Sequence, residues 1–186
     1  MKNLRFTRAA IVAASFVIFL SGPVRAQDAG CQTERSKMLG FLSGTWTVQS
    51  DFRMSRNPEV WESTEGTSVI EPVFPGCLWK ETLSGTREGK PITVAGLFGY
   101  SNISDKFQHT WAHSNHGVLT FYEGVFEEES LVFSAELIVG ERKILFRKVI
   151  QRTAEGFDAR TERSVDGGES WDTGWKVSYR RAKAGK

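Results

Sequence analysis

Histidine and cysteine are scarce in this chain, which has three histidines and two cysteines among 186 residues. Two thiols with no His or Cys neighbour at ligand spacing exclude a zinc site built on cysteine. Long apolar runs are also scarce. The one such run, Ala9–Leu20, spans twelve residues, whereas a membrane-spanning helix needs about 20. No long helical pattern separates the strand-like segments, which excludes parallel βαβ units.

The first 26 residues have the order of a secretory signal peptide. The apolar run is flanked by a positive start, a break and a small-residue cleavage motif, namely Lys2, Arg5 and Arg8, then Gly22-Pro23, then Val24-Arg25-Ala26. A retained membrane anchor and a lipid anchor on Cys31 are the alternatives. The run is too short for the first, and Asp28-Ala29-Gly30 lacks the aliphatic residue that the second prefers. We predict cleavage before Gln27 and a secreted protein, periplasmic in a Gram-negative host, with no transmembrane segment after cleavage.

The predicted mature chain, residues 27–186, is one domain of nearly neutral charge. The whole sequence has 24 basic and 22 acidic residues. The first 26 residues hold four of the basic residues and none of the acidic ones, so 20 basic residues face 22 acidic residues after cleavage. Without a clustered basic face, no nucleic-acid partner is expected. In an oxidising compartment, Cys31 and Cys77 are predicted to form a single disulfide.

One short helix and ten strands are predicted along the mature chain. The helix spans Thr33–Leu42, with Thr33 as its N-cap. After it, apolar residues alternate with polar ones, and turn residues divide the pattern. The strands are centred on Trp46–Phe52, Trp61–Phe74, Leu78–Thr86, Ile92–Tyr100, Phe107–Ser114, Val118–Phe126, Leu131–Val139, Ile144–Gln151, Phe157–Ser164 and Trp175–Arg181. The fold class is therefore all-β. An antiparallel up-and-down barrel of about ten strands is expected, with a two-sheet sandwich as the alternative.

Two sequence motifs resemble those of known families. Gly44-Thr45-Trp46, directly after the helix, resembles the Gly-x-Trp signature of lipocalins and the wider calycin folds. This implies that Trp46 plugs the barrel end and that Arg181, on the last strand, covers its ring. Across nearly the whole mature chain, the sequence is similar to the bacterial DUF1579 family, which is uncharacterised and implies a calycin-like barrel. The shared residues are Leu39-x-Phe41-Leu42-x-Gly44-x-Trp46, Pro75–Glu81, Gly96–Tyr100, Trp111, Gly124, Ser164–Trp171 and Tyr179-x-Arg181. The chain departs from that family at His113, where an Asp is usual.

Ser164–Trp171 also resembles an Asp-box, a motif found in sialidase propellers. A propeller needs several copies and several hundred residues. We therefore predict a local hairpin clip, in which Asp166 bonds to backbone amides of its own turn and Trp171 packs over it. No nucleophile elbow of the Gly-x-Ser-x-Gly type is present.

The three histidines, His109, His113 and His116, lie close together in sequence. On one strand, His109 and His113 stand about 13 Å apart, too far for one ion, so neither a metal site nor any other cofactor is predicted. A three-residue loop, Asn115–Gly117, would instead pair the two strands of this hairpin with one face inward. That register predicts a pocket lined by His109, Trp111, His113, Leu119, Phe121 and Glu123.

Three functions are compatible with this sequence. The favoured one is a barrel that binds a small, largely apolar ligand. An enzyme that uses His109 and Glu123 as an acid/base pair on a small substrate is the first alternative. A filled barrel with a structural or protein-interaction role is the second. The oligomeric state cannot be read from the sequence.

Overall fold

A computed structural model describes residues 30–115 and 117–182 of the chain. The predicted signal peptide, cleavage site and His116 therefore lie outside the described residues. Helix α1 spans Glu34–Lys37 and continues as a 3-10 helix over Met38–Leu42. The side chain of Thr33 accepts a hydrogen bond from the Ser36 amide, and the Ser36 side chain accepts one from the Thr33 amide. This reciprocal cap starts the helix at the predicted residue.

Ten antiparallel strands follow the helix and close into a barrel, in which β1 pairs with both β2 and β10. The predicted all-β fold and up-and-down order are confirmed, and the sandwich alternative is wrong. The strands are β1 Gly44–Arg56, β2 Glu59–Phe74, β3 Leu78–Arg87, β4 Lys90–Ser101, β5 Lys106–His113, β6 Leu119–Glu127, β7 Ser130–Val139, β8 Arg142–Thr153, β9 Gly156–Ser164 and β10 Asp172–Arg181.

One end of the barrel is closed by the helix and Trp46. The indole Nε1 of Trp46 donates a hydrogen bond to the Leu42 carbonyl at 2.9 Å. The Arg181 guanidinium lies 4.2 Å from the centre of the Trp46 ring and donates to the Ser43 carbonyl. Gly44 has φ 147°, and a Cβ at this position would overlap the Arg181 guanidinium. The Gly-x-Trp motif therefore needs its glycine for backbone conformation and for the room that the arginine occupies.

The predicted disulfide between Cys31 and Cys77 is confirmed. It ties the segment before α1 to the residue that precedes β3. The side-chain amide of Gln32 adds a hydrogen bond to the Pro75 carbonyl at 2.8 Å. The helix is thus held over the closed end by both a covalent bond and packing, since Leu39 and Leu42 are fully buried in the core.

Candidate functional site

A cavity of about 440 Å³ lies inside the barrel at the end opposite Trp46. The register of β1 and β10 shows where it lies. Trp46 and Arg181 pair at the closed end, whereas Phe52 and Trp175 pair further along the same two strands and line the cavity. The wall surface is mainly apolar, although eight polar or charged residues also line it, namely Arg87, His113, Thr120, Lys148, Thr161, Glu162, Arg163 and Asp172. The apolar and aromatic lining residues are Phe52, Trp111, Val118, Tyr122, Leu137, Phe146 and Trp175.

Lys148 on β8 is a charged side chain in the wall of this cavity. It is only 4% exposed because it shares the inward face of its strand with Phe146 and Ile150. Its Nζ lies 3.8 Å from the centre of the Trp111 ring and 5.5 Å from that of Phe98. Among the described residues, no carboxylate lies within ion-pair distance of this nitrogen. Burial lowers the pKa of Lys148 to about 8, although the negative charge of Glu81 opposes the shift.

His109 on β5 accepts a hydrogen bond from Lys148. Its Nδ1 lies 3.2 Å from the Leu97 carbonyl, which can only accept, so the ring proton is on Nδ1. Nε2 is then the acceptor for the Lys148 ammonium, at 3.2 Å. The ring is fully buried and stacks on Phe98. Burial, together with the positive charge of Lys148, holds the pKa of His109 well below its ordinary value. His109 is therefore neutral at physiological pH.

Glu81 on β3 is another buried charged side chain of the barrel interior. Its Oε1 accepts hydrogen bonds from the Ser68 hydroxyl at 2.9 Å and the Tyr179 hydroxyl at 2.8 Å. Its Oε2 is buried without a partner in the described part of the chain. Burial and the adjacent Glu81 charge raise the pKa of Tyr179 well above its ordinary value. Tyr179 consequently stays protonated and keeps donating to the carboxylate.

The acidic groups near the cavity mouth are paired with arginines. Glu162 accepts from Arg147 at 2.7 Å and from Arg160 at 3.1 Å. Burial opposes the ionisation of Glu162, but these two hydrogen bonds outweigh it and lower the pKa of the carboxyl. The other acid at the mouth is Asp172, whose carboxylate contacts three guanidinium groups, those of Arg53, Arg56 and Arg163.

The structure brings together only part of the predicted pocket. His109 and Trp111 face the interior, and His113 lines the cavity with its ring 6.0 Å from that of Trp175. Phe121, in contrast, lies on the outer face and is 52% exposed. The remaining predicted members, Leu119 and Glu123, also point outward.

The cause of this difference is the register of β5 and β6. Trp111 pairs with Thr120, and His109 pairs with Tyr122, whereas the predicted three-residue loop would have paired these residues with Phe121 and Glu123. The Gly117 amide donates to the His113 carbonyl across this turn. A register shift of one residue reverses the facing of every side chain on β6. The predicted inward orientation of Phe121 and Glu123 is therefore wrong, and the proposed acid/base pair of His109 and Glu123 does not form.

Four residues that the sequence analysis did not single out shape the interior: Glu81, Tyr122, Lys148 and Trp175. A signal for two of them was present. Lys148 lies two positions from both Phe146 and Ile150, and Glu81 lies two positions from both Trp79 and Leu83, so each charged residue shares one face of its strand with apolar residues. A charged residue on the apolar face of a strand indicates a buried charge rather than a solvated one.

The segment Ser164–Trp171 forms a compact turn between β9 and β10. The Asp166 carboxylate accepts from the Ser170 amide at 3.0 Å and from the Ser164 hydroxyl at 2.6 Å. Hydrogen bonds from these two serines lower the pKa of Asp166. Arg147 covers the Trp171 ring at 4.3 Å. All these contacts lie within the turn or with the neighbouring strand, so the geometry is that of a local clip.

A closed antiparallel barrel with a plugged end and a cavity at the other end is the architecture of calycin-like proteins. Residues 32–181 match the family model described as "Protein of unknown function (DUF1579)", and the chain belongs to that family. A comparison with curated proteins found no match. Across the described residues, no helix is both long and apolar enough to cross a membrane. Within the same residues, no group of three or more His, Cys, Asp or Glu side chains could hold a metal ion.

Proposed function

We propose that this protein binds a small, largely apolar molecule in the cavity of the barrel. The observation that carries the proposal is the cavity itself, which measures about 440 Å³ and has a mainly apolar wall surface that also includes polar and charged side chains. Ligand pockets commonly measure roughly 300–1,000 Å³ and have this kind of lining. Phe98, Phe133 and Tyr179 fill the middle of the barrel, so a ligand would occupy only the end opposite Trp46.

The same proposal includes export. After cleavage before Gln27, residues 27–186 would act as one domain in an oxidising compartment, the periplasm in a Gram-negative host. The Cys31–Cys77 disulfide supports this location because such bonds persist mainly outside the cytosol. Sequencing the N-terminus of the mature protein from its own host tests it. Gln27 as the first residue is expected, and a chain that still begins at Met1 would contradict it.

Binding can be measured with an uncharged fluorescent probe, N-phenyl-1-naphthylamine. Thr120 lines the cavity, so Thr120→Phe should fill part of it and weaken probe binding about tenfold or more. Thr93 is exposed on β4 and provides the matched control, since Thr93→Phe adds the same ring outside the barrel. The proposal predicts loss in the first variant only. Equal binding by both variants and by wild type would place the probe outside the cavity and contradict the proposal.

Native mass spectrometry of protein purified from its own host is the complementary experiment. A retained molecule that is released by unfolding, and that is absent from Thr120→Phe, is the expected result. Host-purified wild type that carries nothing, together with no probe binding at all, would favour the filled-barrel alternative.

A further inference from the structure

The cavity wall holds positive charge that no protein carboxylate neutralises directly. Lys148 is buried there without an ion-pair partner in the described residues, and Arg87, which also lines the cavity, has none either. The acids at the mouth, Glu162 and Asp172, are already bound by arginines. Charges that remain uncompensated at this surface are therefore positive. A buried charge is costly unless a partner offsets it.

A hydrogen-bond donor near Lys148 also lacks a partner. Trp175 lines the cavity, and its buried Nε1 has no hydrogen-bond partner among the described residues. Its ring lies 5.4 Å from that of Trp111, over which the Lys148 ammonium sits. Within the described part of the chain, the ammonium contacts one acceptor, Nε2 of His109, which takes a single proton, so two of its three protons have no acceptor there. Unsatisfied buried donors call for an acceptor.

From these contacts we infer that the ligand is an amphiphile with a carboxylate head, which sits on the Lys148 ammonium and accepts a hydrogen bond from Trp175. Its apolar tail runs along the aromatic wall toward the mouth. The inference rests on the proposed function and adds the chemical class of the ligand. His109 acts as a positioning residue, because its fixed tautomer presents an acceptor that holds Lys148 in place.

Other head groups fit the wall less well. An amine would meet the positive charge of Lys148 with no acid available to receive it. An alcohol oxygen could accept hydrogen bonds but would leave the ammonium charge uncompensated. A carboxylate supplies both the charge and more than one acceptor site, and charge-assisted hydrogen bonds are stronger than neutral ones. Arg87 at the wall adds a second positive charge that favours entry of an anion.

Three probes with the same ten-carbon chain test the inference: decanoate, 1-decanol and decylamine. Each is titrated at pH 7 against wild type carrying N-phenyl-1-naphthylamine. Decanoate should displace the dye about 10- to 100-fold more tightly than decanol, as a hydrogen bond to a buried charge implies. Decylamine should be weakest. This comparison needs no variant, so it does not depend on how any substitution folds.

Single substitutions then test whether the Lys148 ammonium causes the difference in affinity between decanoate and decanol. Lys148→Met should reduce decanoate affinity about 10- to 100-fold and leave decanol binding within about twofold. Lys143, exposed on the same strand, is the matched control, and Lys143→Met should change neither. Trp175→Phe should weaken decanoate more than decanol. Retained decanol binding shows that each variant is folded.

The outcomes separate this inference from the proposed function. If decanol and decanoate bind wild type equally, or if decylamine binds best, the carboxylate assignment is overturned while cavity binding stands. The carboxylate assignment is also overturned, while cavity binding stands, if Lys148→Met weakens the binding of all probes alike. If neither the dye nor any probe binds wild type, both proposals are overturned.

Discussion

The Nζ of Lys148 lies 3.2 Å from the Nε2 of His109, inside a barrel whose ligand-binding role we propose. The Leu97 carbonyl fixes the histidine proton on Nδ1, so the lysine is the donor in this pair. Burial leaves His109 neutral and lowers the pKa of Lys148. The pair therefore carries one positive charge at neutral pH, and that charge can be removed by a modest rise in pH.

The first prediction concerns the pH dependence of decanoate binding. With a pKa of about 8, Lys148 is mostly charged at pH 7 and mostly neutral at pH 9.5. Decanoate affinity should therefore fall as pH rises through 8, and binding below that pH should raise the lysine pKa and take up a fraction of a proton. Isothermal titration calorimetry in buffers of different ionisation enthalpy measures both effects.

Decanol provides the control for this profile, because its affinity should be flat between pH 6.5 and 9.5. The pKa of His109 lies below this range, those of Tyr122 and Tyr179 lie above it, and that of Glu162 is lowered. Several charged or titratable side chains lie around Lys148. Those that line the same cavity are Arg87, His113, Tyr122, Glu162, Arg163 and Asp172, while His109 contacts the ammonium and Glu81 acts on it through its charge. A decanoate profile as flat as that of decanol would remove Lys148 from the binding site.

The second prediction concerns the stability of the unliganded protein. Between the folded pKa of about 8 and the ordinary value of 10.5, the unfolded chain binds more protons at Lys148 than the folded chain does. The free energy of unfolding should therefore rise as pH increases from 8 toward 10, by about 2 kcal/mol. Above pH 10, the raised pKa values of Tyr122 and Tyr179 reverse the trend.

Urea denaturation at several pH values checks this trend. Lys148→Met should abolish the rise, whereas Lys143→Met should preserve it. A wild-type protein whose stability declines steadily from pH 8 to 10 would show that the lysine is not buried as described.

The third prediction concerns the closed end of the barrel. Trp46 is 1% exposed, and Trp46→Ala should lower the free energy of unfolding by roughly 3–5 kcal/mol. Gly44→Ala should also destabilise, because the new Cβ would displace Arg181. Trp61, which is only partly buried on the outside of β2, is the control, and Trp61→Ala should cost less than about 1 kcal/mol. A similar small cost for Trp46→Ala would contradict the plug.

The fourth prediction concerns the disulfide. Replacing both Cys31 and Cys77 by serine opens a loop of 46 residues and should lower the free energy of unfolding by about 2–4 kcal/mol. Reduction of the wild type should have a similar effect, and denaturation with and without a reductant measures it. Alkylation of two free thiols in the native exported protein would refute the pairing.

The comparison of sequence and structure shows what alternation can and cannot predict. Strands such as β1 and β4 were predictable because buried and exposed residues alternate along them between turn signals. The orientation of the β6 side chains was not predictable, because it depends on the exact register that the loop after His113 sets, and several loop lengths are common in hairpins. Phe121 is large and apolar, yet the observed register places it outside and brings Tyr122 inside.

Lys148 was missed for a different reason. Its neighbour Arg147 is also basic, and a pair of adjacent cations in a strand resembles a solvated stretch. The two side chains point to opposite faces of β8: Arg147 covers Trp171 on the outside, and Lys148 covers Trp111 on the inside. Only the registers of β5 and β8 together bring Lys148 and His109 into contact, and no local pattern contains that information.

The register itself gives a fifth prediction. Tyr122→Ala removes a buried wall of the cavity and should weaken binding of N-phenyl-1-naphthylamine by about tenfold or more. Phe121→Ala and Glu123→Gln change only the outer face and should leave probe binding unchanged. The opposite pattern would support the three-residue loop instead.

In the proposed complex, a ligand enters the end opposite Trp46 with its carboxylate on Lys148. A crystal structure of the protein with decanoate would show this placement without any substitution. A carboxylate oxygen is expected about 3 Å from the Lys148 Nζ, within reach of the Trp175 Nε1, and the alkyl chain is expected between the aromatic walls. Density for decanoate only on the outer surface, or a carboxylate held at the mouth with the chain in solvent, would refute this placement.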